Sequence, residues 1–183
     1  MEVRRLAIPE VVCFEPNVFA DMRGLFFESF NAQAFAQATG LSRDFVQDNH
    51  SVSRRGVLRG LHYQLPPFAQ GKLVRVVRGS VFDVAVDIRR DSPTFGKWVG
   101  ETLSAENRRQ LWIPEGFAHG FLAFEDDTQF LYKVTALYDR ASERTIAWND
   151  SRLAIDWPAT GELVISAKDS AAPGFADAEL PGP

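Results

Sequence analysis

Val81-Phe82-Asp83-Val84-Ala85-Val86-Asp87-Ile88 alternates with a period of two. On an extended chain Phe82, Val84, Val86 and Ile88 share one face and Asp83 and Asp87 the other, which is a strand pattern rather than a helical one. The same pattern extends outward. Leu73–Val77, Lys97–Leu103 and Gln110–Ile113 are further strand candidates, and Phe121–Tyr138 reads as two strands joined by a polar hairpin turn at Glu125-Asp126-Asp127-Thr128. Gly56, Gly60, Gly71, Gly79, Gly96, Gly116 and Gly120 separate these runs at short intervals, as tight turns and bulges require. Many short strands with regular punctuation predict an all-β fold, a barrel or double-sheet jelly roll.

Helical signal is sparse. Asn31–Thr39 carries an N-cap candidate in Asn31 and a terminating Gly40, so a short helix is expected there. Residues 171–183, rich in Ala, Gly and Pro, read as a loosely packed tail. No linker or repeat divides the chain, and 183 residues suit a single domain over 1–183. Hydrophobic residues make up 45% and charged residues 24%, ordinary for a globular protein, and Phe is abundant at 15 residues. A net charge of −4 argues against general nucleic-acid binding. Cys13 is the sole cysteine, so no intramolecular disulfide forms. No run approaches the roughly 20 apolar residues of a membrane helix, and a soluble, cytoplasmic protein is expected.

Three histidines, His50, His62 and His119, are the natural proton carriers near neutral pH. His62 sits in the apolar run Val57-Leu58-Arg59-Gly60-Leu61-His62-Tyr63-Gln64, where a hydrogen-bonded core role competes with catalysis. His119 follows Pro114-Glu115-Gly116-Phe117-Ala118, a turn-like stretch similar to the second motif of cupin barrels. His50, in the polar run Gln47-Asp48-Asn49-His50-Ser51, equally suits a solvated loop. Metal-binding cupins carry His-x-His, then a carboxylate and a later histidine. Here Gln64 stands two residues after His62 and no acid follows before Gly71, so no metal site is expected.

Proton abstraction beside a carbonyl needs a base, a cation or donor for the enolate oxygen, and an acid. His62 is the base candidate and Lys72 the cation. Tyr132, sharing a face with Phe130, Val134, Ala136 and Tyr138, is a donor only where that face lines a cavity. Asp169 can hydrogen-bond the far nitrogen of His62. Arg23, Arg59, Lys72 and Lys168 suit a diphosphate clamp. Glycine-rich nucleotide loops and Ser or Cys nucleophile motifs are lacking. Periodicity alone does not bring these residues together.

At these positions the sequence closely resembles the dTDP-4-dehydrorhamnose 3,5-epimerase family. The resemblance runs through Asp21-Met22-Arg23-Gly24 with Glu28, Gln47–Ser51, Gly56–Gln64 and Gln70-Gly71-Lys72-Leu73-Val74. It continues through Ser92-Pro93-Thr94-Phe95-Gly96, Leu111–Pro114 to His119-Gly120, Tyr132-Lys133 and Lys168-Asp169. It implies a cupin-like homodimer that uses no metal or organic cofactor and inverts C3 and C5 of dTDP-4-dehydro-6-deoxy-D-glucose. Carried over by motif, His62 is the base supported by Asp169, Tyr132 the acid on the opposite sugar face, and Lys72 the enolate stabiliser. By the same resemblance Arg23, Glu28, Gln47, Asn49, Arg59, His119, Glu143 and Lys168 are expected to bind nucleotide and sugar and Tyr138 to stack on thymine, and in the family the dimer partner can contribute to the pocket. Departures are small: Leu25 replaces a common aromatic, Arg144-Thr145 a frequent small pair, and Ala154 a usual Gly.

Two tensions remain in the sequence. Arg59 and His62 face opposite sides of an uninterrupted strand, unless Gly60 makes a bulge. A single-site epimerase, a 3,4-ketoisomerase on a related dTDP-keto-sugar and a non-catalytic sugar-nucleotide-binding cupin also fit the fold.

Overall fold

The computed structural model describes residues 1–159 and 161–182. In chain order its elements begin β1 (Glu2–Arg5), β2 (Val12–Glu15), β3 (Val18–Asp21), β4 (Gly24–Phe27), α1 (Ala32–Thr39), β5 (Gln47–Ser53), β6 (Val57–Gln64) and β7 (Lys72–Arg78). They continue β8 (Ser80–Asp87), β9 (Trp98–Ser104), β10 (Gln110–Ile113), β11 (Phe117–Ala123), β12 (Thr128–Val134), β13 (Glu143–Thr145), β14 (Val164–Ile165) and α2 (Ala167–Ser170). One sheet runs β1-β2-β10-β7-β12-β5, and the other β13-β6-β11-β8-β9 with β14 on β6. The two sheets pack as the cupin-like jelly roll that the alternation predicts. The helix lies where expected: the Asn31 side chain accepts from the Ala34 N–H, and Gly40 closes the helix at φ 75°.

The period-two pattern of β8 acquires an unexpected meaning. Its apolar face, Val84, Val86 and Ile88 with Phe82 beside them, turns away from the facing sheet. Its other face points between the sheets, where Val81 and Ala85 join Val74, Phe121 and Phe130 in the inner core. Asp83 and Asp87 are therefore wholly buried. Asp87 is matched by Arg89, Ser92 and Thr94, all of which donate to it. The strand is buried on both sides.

What covers its outer face is the C-terminal segment. Phe175, Ala178 and Leu180 are buried against Leu61, Tyr63, Val84, Val86 and Ile88. Tyr63 donates to the Glu179 carbonyl at 2.7 Å, and Arg144 pairs with Glu179 at 2.7 Å. The expectation of a loose tail is thus corrected for 171–182, Pro183 lying outside the described residues. Its Ala, Gly and Pro content conceals three apolar anchors at the spacing needed to seal the sheet.

A second correction concerns Phe121–Tyr138. The strands β11 and β12 do not form a hairpin: β11 pairs with β6 and β8, and β12 with β5 and β7 in the opposite sheet. The polar turn is an arch between sheets, across which Phe121 and Phe130 stack with ring centroids 4.2 Å apart. Hairpins and arches share alternation and a polar turn, so the sequence does not separate them. Ala154 adopts φ 45°, a left-handed conformation that glycine takes freely, which accounts for the usual Gly there.

Replacing Phe175 by Ala should lower stability by about 3 kcal/mol in urea unfolding, the lower end for a buried aromatic. A loss below about 0.5 kcal/mol, the range of surface substitutions, would mean the tail carries no load.

Candidate active site

Toward one end of the barrel the inner core gives way to polar side chains. They line a cavity of about 830 Å³, counting its open mouth, within the range of small-molecule sites. Arg59, His62, Lys72, His119, Tyr132, Tyr138 and Glu143 all reach it. His62 and Arg59 do so together because β6 is bulged. His119 lies opposite His62 and Phe121 opposite Arg59, so three steps along β6 match two along β11. Gly60 occupies the bulge at φ 138°, and a Cβ there would stand 2.6 Å from the Gly120 Cα. Only glycine fits so close an approach at that φ. The tension between Arg59 and His62 is thereby resolved.

His62 Nε2 lies 2.7 Å from Asp169 Oδ1. The Asp169 carboxylate is buried, with its Oδ2 accepting from the Gly60 N–H at 3.3 Å. Its placement follows from α2, where the Ser166 side chain caps the Asp169 N–H. Burial pushes the Asp169 carboxyl up, but the His62 hydrogen bond and charge, with the Gly60 and Ser166 bonds, outweigh it and hold it below the usual range. A carboxylate on Nε2 assigns the proton to that nitrogen and leaves Nδ1 as the basic lone pair.

Across the cavity stand Lys72 and Tyr132, both on the other sheet. Burial pushes the Lys72 ammonium down to about 8, partly offset by the charges of Asp83 and Glu143. Its Nζ donates to the His62 carbonyl at 3.1 Å, which holds the cation beside that histidine. Burial also raises the Tyr132 hydroxyl above its ordinary value, a shift that nearby Arg59 opposes and Glu143 reinforces. At neutral pH Tyr132 is a protonated donor facing a histidine on the opposite wall.

At the mouth, Glu143 takes a 2.6 Å ion pair from Lys168 and a 3.0 Å bond from the Tyr138 hydroxyl. Gln47 accepts from the Tyr138 N–H and donates to Asn49, which ties β5 to the same rim. Tyr138 reaches the cavity although β12 ends at Val134, so it arrives by the following turn and not as a continuation of the strand. Gln64, at the metal-ligand position of other cupins, binds backbone: it donates to the Phe68 and Leu137 carbonyls and accepts from the Asp139 N–H. His50 lies on the exposed face of β5 and does not enter the cavity.

Two expected residues are not brought in by this chain's own fold. Arg23 lies on the β3–β4 hairpin, paired with Asp21 at 2.6 Å and 86% exposed, and Glu28 follows the hairpin and binds Asn31. Some residues at the cavity were not singled out from sequence, Tyr63, Gln70 and Phe121 of the lining among them. Asp83, buried beneath the cavity, holds His119 Nε2 at 2.8 Å, and Ser51 joins the lining. The signal for Asp83 was present as an acid in period with Val81 and Ala85, on the face that turns inward.

A cupin-like barrel whose two walls oppose a His–Asp pair to a protonated tyrosine, with a buried lysine beside them, defines an acid–base enzyme acting on carbon. The sequence profile described as dTDP-4-dehydrorhamnose 3,5-epimerase matches residues 5–177. The dTDP-4-dehydrorhamnose 3,5-epimerase of Pseudomonas aeruginosa is 60% identical over 179 residues, 98% of each chain. The solved dTDP-6-deoxy-D-glucose-3,5-epimerase of Legionella pneumophila, in complex with dTDP-4-keto-L-rhamnose, superposes with a TM-score of 0.95 at 49% identity, covering 98% of this chain and 97% of that one. A 3'-monoepimerase from Streptomyces bikiniensis in complex with dTDP-quinovose gives 0.91 at 37% identity, covering 96% and 91%. The chain belongs to the dTDP-4-dehydrorhamnose 3,5-epimerase family.

One lysine should titrate near pH 8, far below exposed lysines near 10.4. Nitrogen-15 NMR of the side-chain amines should show it, and Lys72→Arg should remove that resonance. A full set of lysines titrating above pH 10 would contradict the buried cation.

Proposed function

We propose that the protein inverts C3 and C5 of dTDP-4-dehydro-6-deoxy-D-glucose to give dTDP-4-dehydro-L-rhamnose, as a step in making dTDP-L-rhamnose. The observation that carries the reading is the opposition of His62, on one wall, to Tyr132, on the other. Inversion demands removal of a proton from one face of the sugar and its return to the other. Both carbons flank the C4 carbonyl, so one acid–base set serves both.

His62 Nδ1 takes the proton from C3 or C5, and the C–H electron pair passes into the ring to give the enolate, with its negative charge on the C4 oxygen. The imidazolium is stabilised by Asp169, and the enolate oxygen by the Lys72 ammonium. Tyr132 then delivers its hydroxyl proton to the opposite face, the enolate collapses to the ketone, and the carbon is inverted. His62 has gained a proton and Tyr132 has lost one, so exchange with solvent resets both before the second carbon. No redox change occurs, and the side chains supply every proton.

Arg59 forks onto the diphosphate, with Gln47, Asn49, Lys168 and Glu143 around the nucleotide and Tyr138 stacked on thymine. Arg23 and Glu28 enter from a second copy in a homodimer. Supporting this, the hairpin that carries Arg23 leaves Phe19, Met22, Leu25 and Phe26 exposed, four large apolar residues with nothing of their own chain to cover them. No helix is long and apolar enough to cross a membrane among the described residues, and we assign the enzyme to the cytoplasm with its nucleotide-sugar substrate.

Incubated with the keto-sugar in D₂O, the protein should place deuterium at C3 and C5 with inversion at both, followed by proton NMR. Exchange at one carbon alone would make it a single-site epimerase. His62→Ala should abolish exchange at both carbons and leave dTDP binding within about twofold, since no nucleotide contact is lost.

The shared pocket has its own test. In a mixed dimer of His62→Ala and Arg23→Ala subunits, one site carries both lesions and the other neither. Mixing the two weak variants should therefore restore up to about a quarter of native turnover, half the dimers being mixed and half their sites intact. No gain on mixing would place Arg23 in the site of its own chain.

A further inference from the structure

The cavity holds two His–Asp pairs, and only one is used in the chemistry above. The second, His119 with Asp83, is the more deeply placed: the His119 side chain is 8% exposed, against 32% for His62, and Asp83 has no exposure. Asp83 Oδ2 takes His119 Nε2 at 2.8 Å, while Oδ1 is buried with no hydrogen-bond partner among the described residues. A buried carboxylate oxygen without a hydrogen-bond partner is destabilising. Its charge therefore needs a use other than local packing.

We propose that Asp83 is a positioning residue that fixes His119 as a hydrogen-bond acceptor for a sugar hydroxyl and supplies the counter-charge that keeps Lys72 cationic for the enolate oxygen. This rests on the epimerase reading and divides the cavity floor between two tasks. With the Nε2 proton committed to Asp83, the remaining His119 nitrogen, Nδ1, carries a lone pair. A lone pair suits a hydroxyl and repels an oxyanion, so the enolate oxygen falls to Lys72. Stacking fixes the ring orientation, with the Phe130 centroid 6.0 Å away at 22°. Burial holds the His119 imidazolium below its ordinary range, aided by the charges of Lys72 and His62 and opposed by Asp83, so the ring is neutral at pH 7.

The titratable and charged groups around Lys72 come from five strands, with His119 on β11, His62 and Arg59 on β6, Glu143 on β13 and Tyr132 on β12 lining the cavity and Asp83 on β8 buried beneath it, while Tyr138 enters from the turn after β12. Asp83 is the largest opposing charge to the burial of the ammonium and Glu143 the next. Glu143 already pairs with Lys168 and Tyr138, which leaves Asp83 the carboxylate without a competing cation in contact. Glu115, past the end of β10, is engaged by Thr135 and Arg43.

Two measurements test this. In the native protein labelled with ¹⁵N-histidine, His119 should appear at pH 7 as the neutral tautomer protonated at Nε2. An imidazolium, or a proton on Nδ1, overturns the assignment, and this readout needs neither substrate nor variant. In Asp83→Asn, the alkaline limb of kcat/KM should move to lower pH than in the native enzyme by about one unit or more, because the ammonium loses an opposing charge. The affinity for dTDP should hold, because Asp83 touches no nucleotide. A uniform drop in kcat with the limb unmoved would make Asp83 merely structural and overturn the proposal, as would unchanged activity. Failure of the epimerase reading itself is distinct: the native enzyme would show no solvent exchange, while the His119 tautomer would still be read.

Discussion

One extra residue in β6 governs the site. Without the bulge at Gly60, Arg59 and His62 would face opposite sides of the sheet and would not line one cavity. The bulge requires two glycines back to back: a Cβ on Gly60 would meet Gly120, and one on Gly120 would stand 2.8 Å from the Arg59 carbonyl. The same Gly60 N–H is received by Asp169, whose other oxygen orients His62. Backbone geometry and the orientation of the histidine ring are thus fixed by one carboxylate. The C-terminal segment that brings Asp169 also seals the outer face of the sheet with Phe175 and Leu180, so catalysis and stability share one stretch of chain.

Electrostatics explains why two His–Asp pairs serve different ends. His62, partly open to the cavity, can accept a proton and become an imidazolium beside Asp169. His119, enclosed by aromatic rings and near the Lys72 ammonium, pays too much desolvation to do so. Identical chemistry at the level of residue type is separated chiefly by burial, with the neighbouring charges of Lys72 and His62 acting in the same direction at His119. The buried lysine follows the same logic: an ammonium whose pKa is pushed to about 8 is still cationic at neutral pH, and among the described residues it makes no direct ion pair that would quench its field.

Much of this was legible in the sequence. Period-two alternation gave the strands, and β10 lies where Gln110–Ile113 was read; the Asn31 cap and Gly40 marked α1. His62, Lys72 and Tyr132 were recognisable as chemistry-bearing types within family motifs, and Gly60 as a place for a bulge. Three things were not legible, for physical reasons. Which side of β8 faces inward depends on what covers it, and the cover is more than 80 residues away, so alternation alone places Asp83 on a face without saying that this face is the inner one. The arch between β11 and β12 has the same pattern as a hairpin, because pairing partners are a tertiary property. The tail's few anchors were diluted among small residues that carry no periodic signal.

The central claim is that removal and return of the proton are done by different groups on opposite walls. The most direct test is Tyr132→Phe with the keto-sugar in D₂O, following configuration and deuterium content together by NMR. The account predicts that His62 still removes the proton, so that deuterium enters with retention while inversion falls by at least about a hundredfold, the usual contribution of a general acid. Inversion at near-native rate would contradict it, because the proton would then reach the far face without the tyrosine.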